Sequence, residues 1–92
     1  MSAQVEIYSA PGCPYCRRAK RLLREKGVPF VEHRLYMALF WLLPAGTFRE
    51  MKERSGGRDT VPQIFVNGRH VGGCDDLMAL ERAGQLDGLL GI

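Results

Sequence analysis

Apolar residues change their period several times along this chain, and each change marks a predicted element. Val5, Ile7 and Tyr8 form a β-branched and aromatic run that favours a pleated strand, broken by the turn residues Ser9-Ala10-Pro11-Gly12. From Pro14 onward, Tyr15, Ala19, Leu22 and Leu23 recur at helical spacing, with Arg17, Arg18, Lys20, Arg21 and Arg24 elsewhere on the helix. Pro14 suits a first helical turn, where its missing amide would have had no intrahelical partner. Gly27 ends that helix, and the chain resumes as a strand over Val28 to Glu32, with Val28, Phe30 and Leu35 directed inward. Thr47 to Glu50 reads as a capping box opening a second helix, with Thr47 at the N-cap and Gly56-Gly57 as the stop. Ile64-Phe65-Val66 and Arg69-His70-Val71 flank Asn67-Gly68, the signature of a type I′ hairpin. A third helix starts near Cys74-Asp75-Asp76, turns Leu77, Leu80 and Ala83 inward, and stops at Gly84; Leu86, Leu89 and Leu90 can pack as a terminal turn. The order is βαβ, a helix, a β-hairpin and a helix. It predicts an α/β fold with a four-stranded mixed sheet flanked by helices and a right-handed crossover.

Cys13-Pro14-Tyr15-Cys16 stands where the first strand gives way to the first helix. Cys13 is thereby placed at a helix N-terminus, where free amides and the positive end of the dipole favour a thiolate, the nucleophilic form of sulfur. Cys16, three residues on, shares a face with Cys13 and can attack a mixed disulfide formed there. The alternatives are half a zinc site or two structural thiols. A structural zinc site needs four ligands, and only Cys74 and two scattered histidines remain, so redox chemistry is the reading and no metal site is expected.

The 92 residues suit one domain with a modest core, and 46% hydrophobic and 25% charged residues are ordinary for a globular protein. Three cysteines leave one unpaired in any scheme, which points to a reducing compartment rather than a secreted disulfide scaffold. The start, Met1 to Gln4, has no export signal, so a cytoplasmic protein is expected. The net charge of +3 comes from clusters on the first helix and around Arg49 to Arg58. No aromatics alternate with these cations, so nucleic acid is not the expected partner; a small anionic thiol or a solvated helix face accounts for them.

Together, Cys13-Pro14-Tyr15-Cys16, Thr60-Val61-Pro62-Gln63-Ile64-Phe65 and Gly72-Gly73-Cys74-Asp75-Asp76 resemble the motifs of the dithiol glutaredoxins, members of the thioredoxin-like fold. The resemblance covers the chain except for about residues 33 to 46. It implies a glutathione-dependent thiol-disulfide oxidoreductase with no permanently bound cofactor and glutathione as co-substrate. Its other partners would be disulfide-containing or glutathionylated proteins. By the family pattern Cys13 attacks, Cys16 resolves, and glutathione restores the dithiol. The resemblance also implies a cis Val61-Pro62 peptide, with Thr60, Val61 and Pro62 presenting backbone to glutathione; the alternative is a trans proline opening an edge strand. Gly73, Cys74 and Asp75 look like the cradle for its glutamyl end, although Asp75 or Asp76 could simply cap the helix. Cys74 is expected to pack rather than react. Tyr15 is expected to flank glutathione, the alternative being a core aromatic.

The chain departs from the family in two places. A lysine common before the first cysteine is absent, so Arg17, Arg49 and Arg58 remain candidates for the electrostatic hold on substrate. Leu35 to Gly46 replaces a short, usually acidic connection, carries no charge and holds the only tryptophan. It is too short to span a bilayer. An added turn packed on the domain, a self-association surface, a partner- or membrane-facing patch and an altered segment are its readings. Other function classes are an iron-sulfur or metal-binding module, which Pro14 counts against, and an interaction module built on the apolar stretch.

Overall fold

The computed structural model describes residues 3–35 and 46–92. They form β1 (Val5–Ser9), α1 (Pro14–Glu25), β2 (Phe30–Arg34), α2 (Gly46–Arg54), β3 (Gln63–Val66), β4 (Arg69–Gly72), α3 (Cys74–Arg82) and α4 (Leu86–Leu90). The sheet runs β2-β1-β3-β4, with β2 parallel to β1 and the other neighbours antiparallel. This is the mixed α/β arrangement expected of the thioredoxin-like fold.

The two faces of the sheet are held differently. Val5, Ile7, Ile64 and Val66 point to one side and pack with Ala19 and Leu23 of α1, Leu77 of α3, and Leu86 and Leu90 of α4. Alternation along each strand sends Tyr8 and Phe65 to the other side, against Met51 of α2 and Leu35. That second face is laced with polar contacts. Arg54 of α2 grips the Glu6 carboxylate through its two terminal guanidinium nitrogens, at 2.9 and 3.0 Å, and donates to the Tyr8 hydroxyl at 2.8 Å. The Arg54 hydrogen bonds hold the Glu6 carboxyl down to about 2, and burial pushes the Tyr8 hydroxyl up to about 12.

Three expectations are corrected. β2 spans Phe30–Arg34, two residues later than predicted, although Val28 is buried as expected. Thr47 is not the N-cap of α2, because the helix already includes Gly46. Glu50, instead of reaching back to Thr47, accepts the Tyr8 hydroxyl proton, so a tertiary partner replaces the local one. Ala83 is exposed at the C-cap of α3 rather than turned inward. The expectations for the apolar stretch fall on residues 36–45, outside the described residues.

Candidate active site

The site is assembled where β1 ends and α1 begins. Cys13 is the N-cap of α1 in extended backbone, and its sulfur accepts the Cys16 amide proton at 3.3 Å. A side-chain acceptor at this position takes up one of the free amides of a first helical turn. Pro14 follows at the first helical position, and the first turn holds no acid that would repel a sulfur anion. Cys13 is partly exposed, whereas Cys16 is 1% exposed beneath it; both are free thiols. Burial first, and the contact with Cys13 second, push the Cys16 thiol up to about 12, so it is protonated at rest.

Facing Cys13 is the loop before β3. The Val61-Pro62 peptide is cis, as the resemblance implied. The Cys13 sulfur lies 3.8 Å from the Val61 carbonyl oxygen, bringing together residues 48 positions apart in sequence. Beside it opens a cleft of about 150 Å³ whose lining includes Thr60, Val61, Pro62, Gly73, Cys74 and Asp75. Tyr15 is 53% exposed and lines the same cleft, so it is not a core aromatic. Cys74 is buried, at the first position of α3. The two cysteines and the residues that the resemblance assigns to glutathione are therefore all at the cysteine pair or at this cleft.

Asp76, one of the two candidate caps, and Arg58, one of the three candidate cations, join them. Asp76 accepts the Gly73 amide proton at 2.8 Å, so it caps α3, and it pairs with Arg58 at 3.4 Å. Arg58 and Asp76 both line the cleft. Of the three candidate cations, Arg17 lines a separate groove with Lys20, Arg21 and Arg24, and Arg49 is exposed on α2 away from the cleft lining. The adjacency of Arg58 to the Thr60-Val61-Pro62 motif was the available signal for choosing it. Among the described residues, no three His, Cys, Asp or Glu side chains stand close enough to hold a metal, and no helix is long and apolar enough to cross a membrane.

The comparisons with known proteins agree with this geometry. The family model described as Glutaredoxin matches residues 5–71. Glutaredoxin 3 of Escherichia coli (strain K12) is 52% identical over 92 residues, covering 96% of this chain and 98% of that protein. The solution structure of glutaredoxin from Brucella melitensis superposes with a TM-score of 0.75 at 53% identity, over 97% of this chain and 89% of that one. The crystal structure of a buckwheat glutaredoxin-glutathione complex gives a TM-score of 0.79 at 28% identity, over 97% of this chain and 77% of that one. With the paired cysteines at a helix start, the facing cis-proline loop and these matches in hand, the chain belongs to the glutaredoxin family and is a thiol-disulfide oxidoreductase.

Proposed function

We propose that this oxidoreductase draws its electrons from glutathione and reduces both protein disulfides and glutathione mixed disulfides. The observation that carries the reading is the Cys13 sulfur 3.8 Å from the Val61 carbonyl, beside a cleft that offers both signs of charge. Glutathione carries an ammonium group and two carboxylates. Asp75 and the amides at the start of α3 suit its glutamyl end, and Arg58 suits a carboxylate. The backbone around Val61 can pair with its cysteine in the manner of a short strand. The buckwheat relative seen with glutathione supports the same substrate.

On a mixed disulfide, the Cys13 thiolate attacks the glutathione sulfur. The protein thiolate leaves and takes up a proton, and Cys13 is left joined to glutathione. A second glutathione thiolate attacks that sulfur, releasing oxidised glutathione and the Cys13 thiolate. On a protein disulfide, Cys13 first becomes joined to the substrate. Cys16 then gives up its proton and attacks the Cys13 sulfur, releasing the reduced protein and leaving a Cys13-Cys16 disulfide. Two glutathiones restore the dithiol and leave as the oxidised dimer. The cytoplasm, with its glutathione pool, is the compartment we assign to this cycle.

A glutathione-coupled reduction assay tests the reading. Cys16→Ser should retain turnover of glutathione mixed disulfides and lose that of protein disulfides, because only the second route needs the resolving thiol. A wild-type protein that accepts electrons from another dithiol donor but not from glutathione would overturn it.

A further inference from the structure

Gln63 is the polar opening residue of β3, pairs across the sheet with Tyr8 and is fully buried, while the rest of its strand is apolar. A buried amide is costly unless its donors and acceptor are used. All sides of this one are occupied. Its nitrogen donates to the Thr60 carbonyl at 3.0 Å and to the Thr60 hydroxyl at 3.3 Å, and its oxygen lies 2.7 Å from Nε2 of His70. The two Thr60 oxygens assign the nitrogen end of the amide, so the His70 nitrogen must be the donor to Gln63.

His70 stands opposite Phe65 in the β3–β4 ladder, and its imidazole reaches diagonally along the same face to Gln63, two residues from Phe65. The ring also packs against Phe65, with centroids 5.1 Å apart. Hydrogen bonds thus run from the edge strand β4, through a buried amide, to the loop residue next to Val61. An apolar residue at position 63 would fill the space without the desolvation cost. What the amide adds is two bonds to Thr60.

We propose that Gln63, oriented by His70, is a positioning residue that sets the Thr60-Val61 backbone against Cys13 and thereby governs how well a substrate cysteine pairs there. Neither side chain touches the reacting sulfurs. The inference rests on Val61 being the backbone that receives glutathione.

His70→Phe keeps a ring against Phe65 and removes the donor, Gln63→Met removes the relay, and His70→Gln restores a donor to the Gln63 oxygen. Kinetics on a glutathione mixed disulfide should show KM raised about fivefold or more in the first two, the size that loss of a positioning hydrogen bond carries. The maximal rate and the alkylation rate of Cys13 should stay within about twofold of wild type. His70→Gln should recover most of the loss in KM. Unchanged KM in folded His70→Phe and Gln63→Met would overturn the proposal. If Gln63→Met does not fold, His70→Phe alone decides. If the wild type does not turn over glutathione substrates, the glutathione reading fails and the relay is read from amide NMR shifts. Thr60 and Val61 must then move in His70→Phe, and unmoved signals would overturn it.

Discussion

Two helices start at the cleft, and each has a cysteine at its start. At α1 the cysteine is the cap itself: Cys13 lies outside the first turn, partly exposed, with its sulfur accepting the Cys16 amide. At α3 the cap is Gly73, and Cys74 sits one position inside, 4% exposed. The amides at that end are served by a carboxylate instead, since Asp76 accepts from Gly73. The first turn of α1 contains no acid, whereas that of α3 contains Asp75 and Asp76. Burial pushes the Cys74 thiol above its ordinary value; Arg18 opposes this and Asp75 adds to it. From this contrast we infer that a helix N-terminus alone does not make a sulfur reactive, and that standing at the cap, reaching solvent and lacking acidic neighbours each contribute.

The largest consequence of this contrast is chemical. Cys13→Ser should lower disulfide reduction by about a thousandfold or more, since a serine hydroxyl can neither form nor exchange a disulfide. Cys74→Ser should stay within about threefold of wild type, with a stability loss of ~1 kcal/mol from placing a hydroxyl where a small hydrophobe packed. Peptide mapping after iodoacetamide at pH 8 should find label on Cys13 alone. Cys16, raised to about 12, gains thiolate only as the pH climbs towards that value, and its burial slows attack further. A loss of activity in Cys74→Ser comparable to that in Cys13→Ser would break the contrast.

The sequence makes the first of these two helix starts far more legible than the second. Cys13, Pro14 and Cys16 carry their geometry in local spacing, and a strand running into an amphipathic helix locates the cap. At α3 the local pattern allowed Asp75 or Asp76 as a cap. Choosing Asp76 required the side-chain geometry, which turns its carboxylate back to the Gly73 amide. The cis state of Val61-Pro62 came from family resemblance, because an X-Pro pair permits either isomer. The capping box at Thr47 was misread for the opposite reason. Its spacing was correct, but Tyr8, 42 residues away, claims Glu50. The Gln63–His70 bond is a diagonal contact across the hairpin, which the Asn67-Gly68 turn permits but which spacing alone does not single out.

Next in size is the effect of disturbing the α3 cap. Gly72 has φ +127°, and a Cβ there would lie 2.2 Å from the Asp76 carboxylate oxygen. That carboxylate has little freedom to retreat, because it already holds the Gly73 amide and Arg58. Gly72→Ala should therefore cost about 2–4 kcal/mol, from backbone strain together with loss of the cap. This would lower the melting temperature by about 10–25 °C for a domain of this size. Asp76→Ala alone should cost ~1 kcal/mol. In the Asp76→Ala background the glycine substitution should cost less than it does in wild type, because the crowded carboxylate is gone. Strict additivity in calorimetry would show that Asp76 is not what Gly72 accommodates.

The smallest effect tests whether acidic neighbours matter apart from burial. Tyr15 and Asp75 occupy the same second position of their helices, so Tyr15→Asp gives α1 the charge that α3 carries. Tyr15 is exposed, and the new carboxylate would itself interact favourably with the helix dipole, so stability should hold. Repulsion between that carboxylate and a sulfur anion a few ångströms away is about 1 kcal/mol in water-like surroundings, equivalent to about fivefold in the thiolate population. Alkylation of Cys13 near neutral pH should slow by about that factor in low salt. The difference should largely vanish at 1 M salt, where the screening length falls to about 3 Å. Tyr15→Asn, which removes the ring without adding charge, should alkylate at the wild-type rate. Equal rates for the aspartate and asparagine variants in low salt would mean that burial alone silences Cys74, and that the acids of α3 serve only its cap and its ligand.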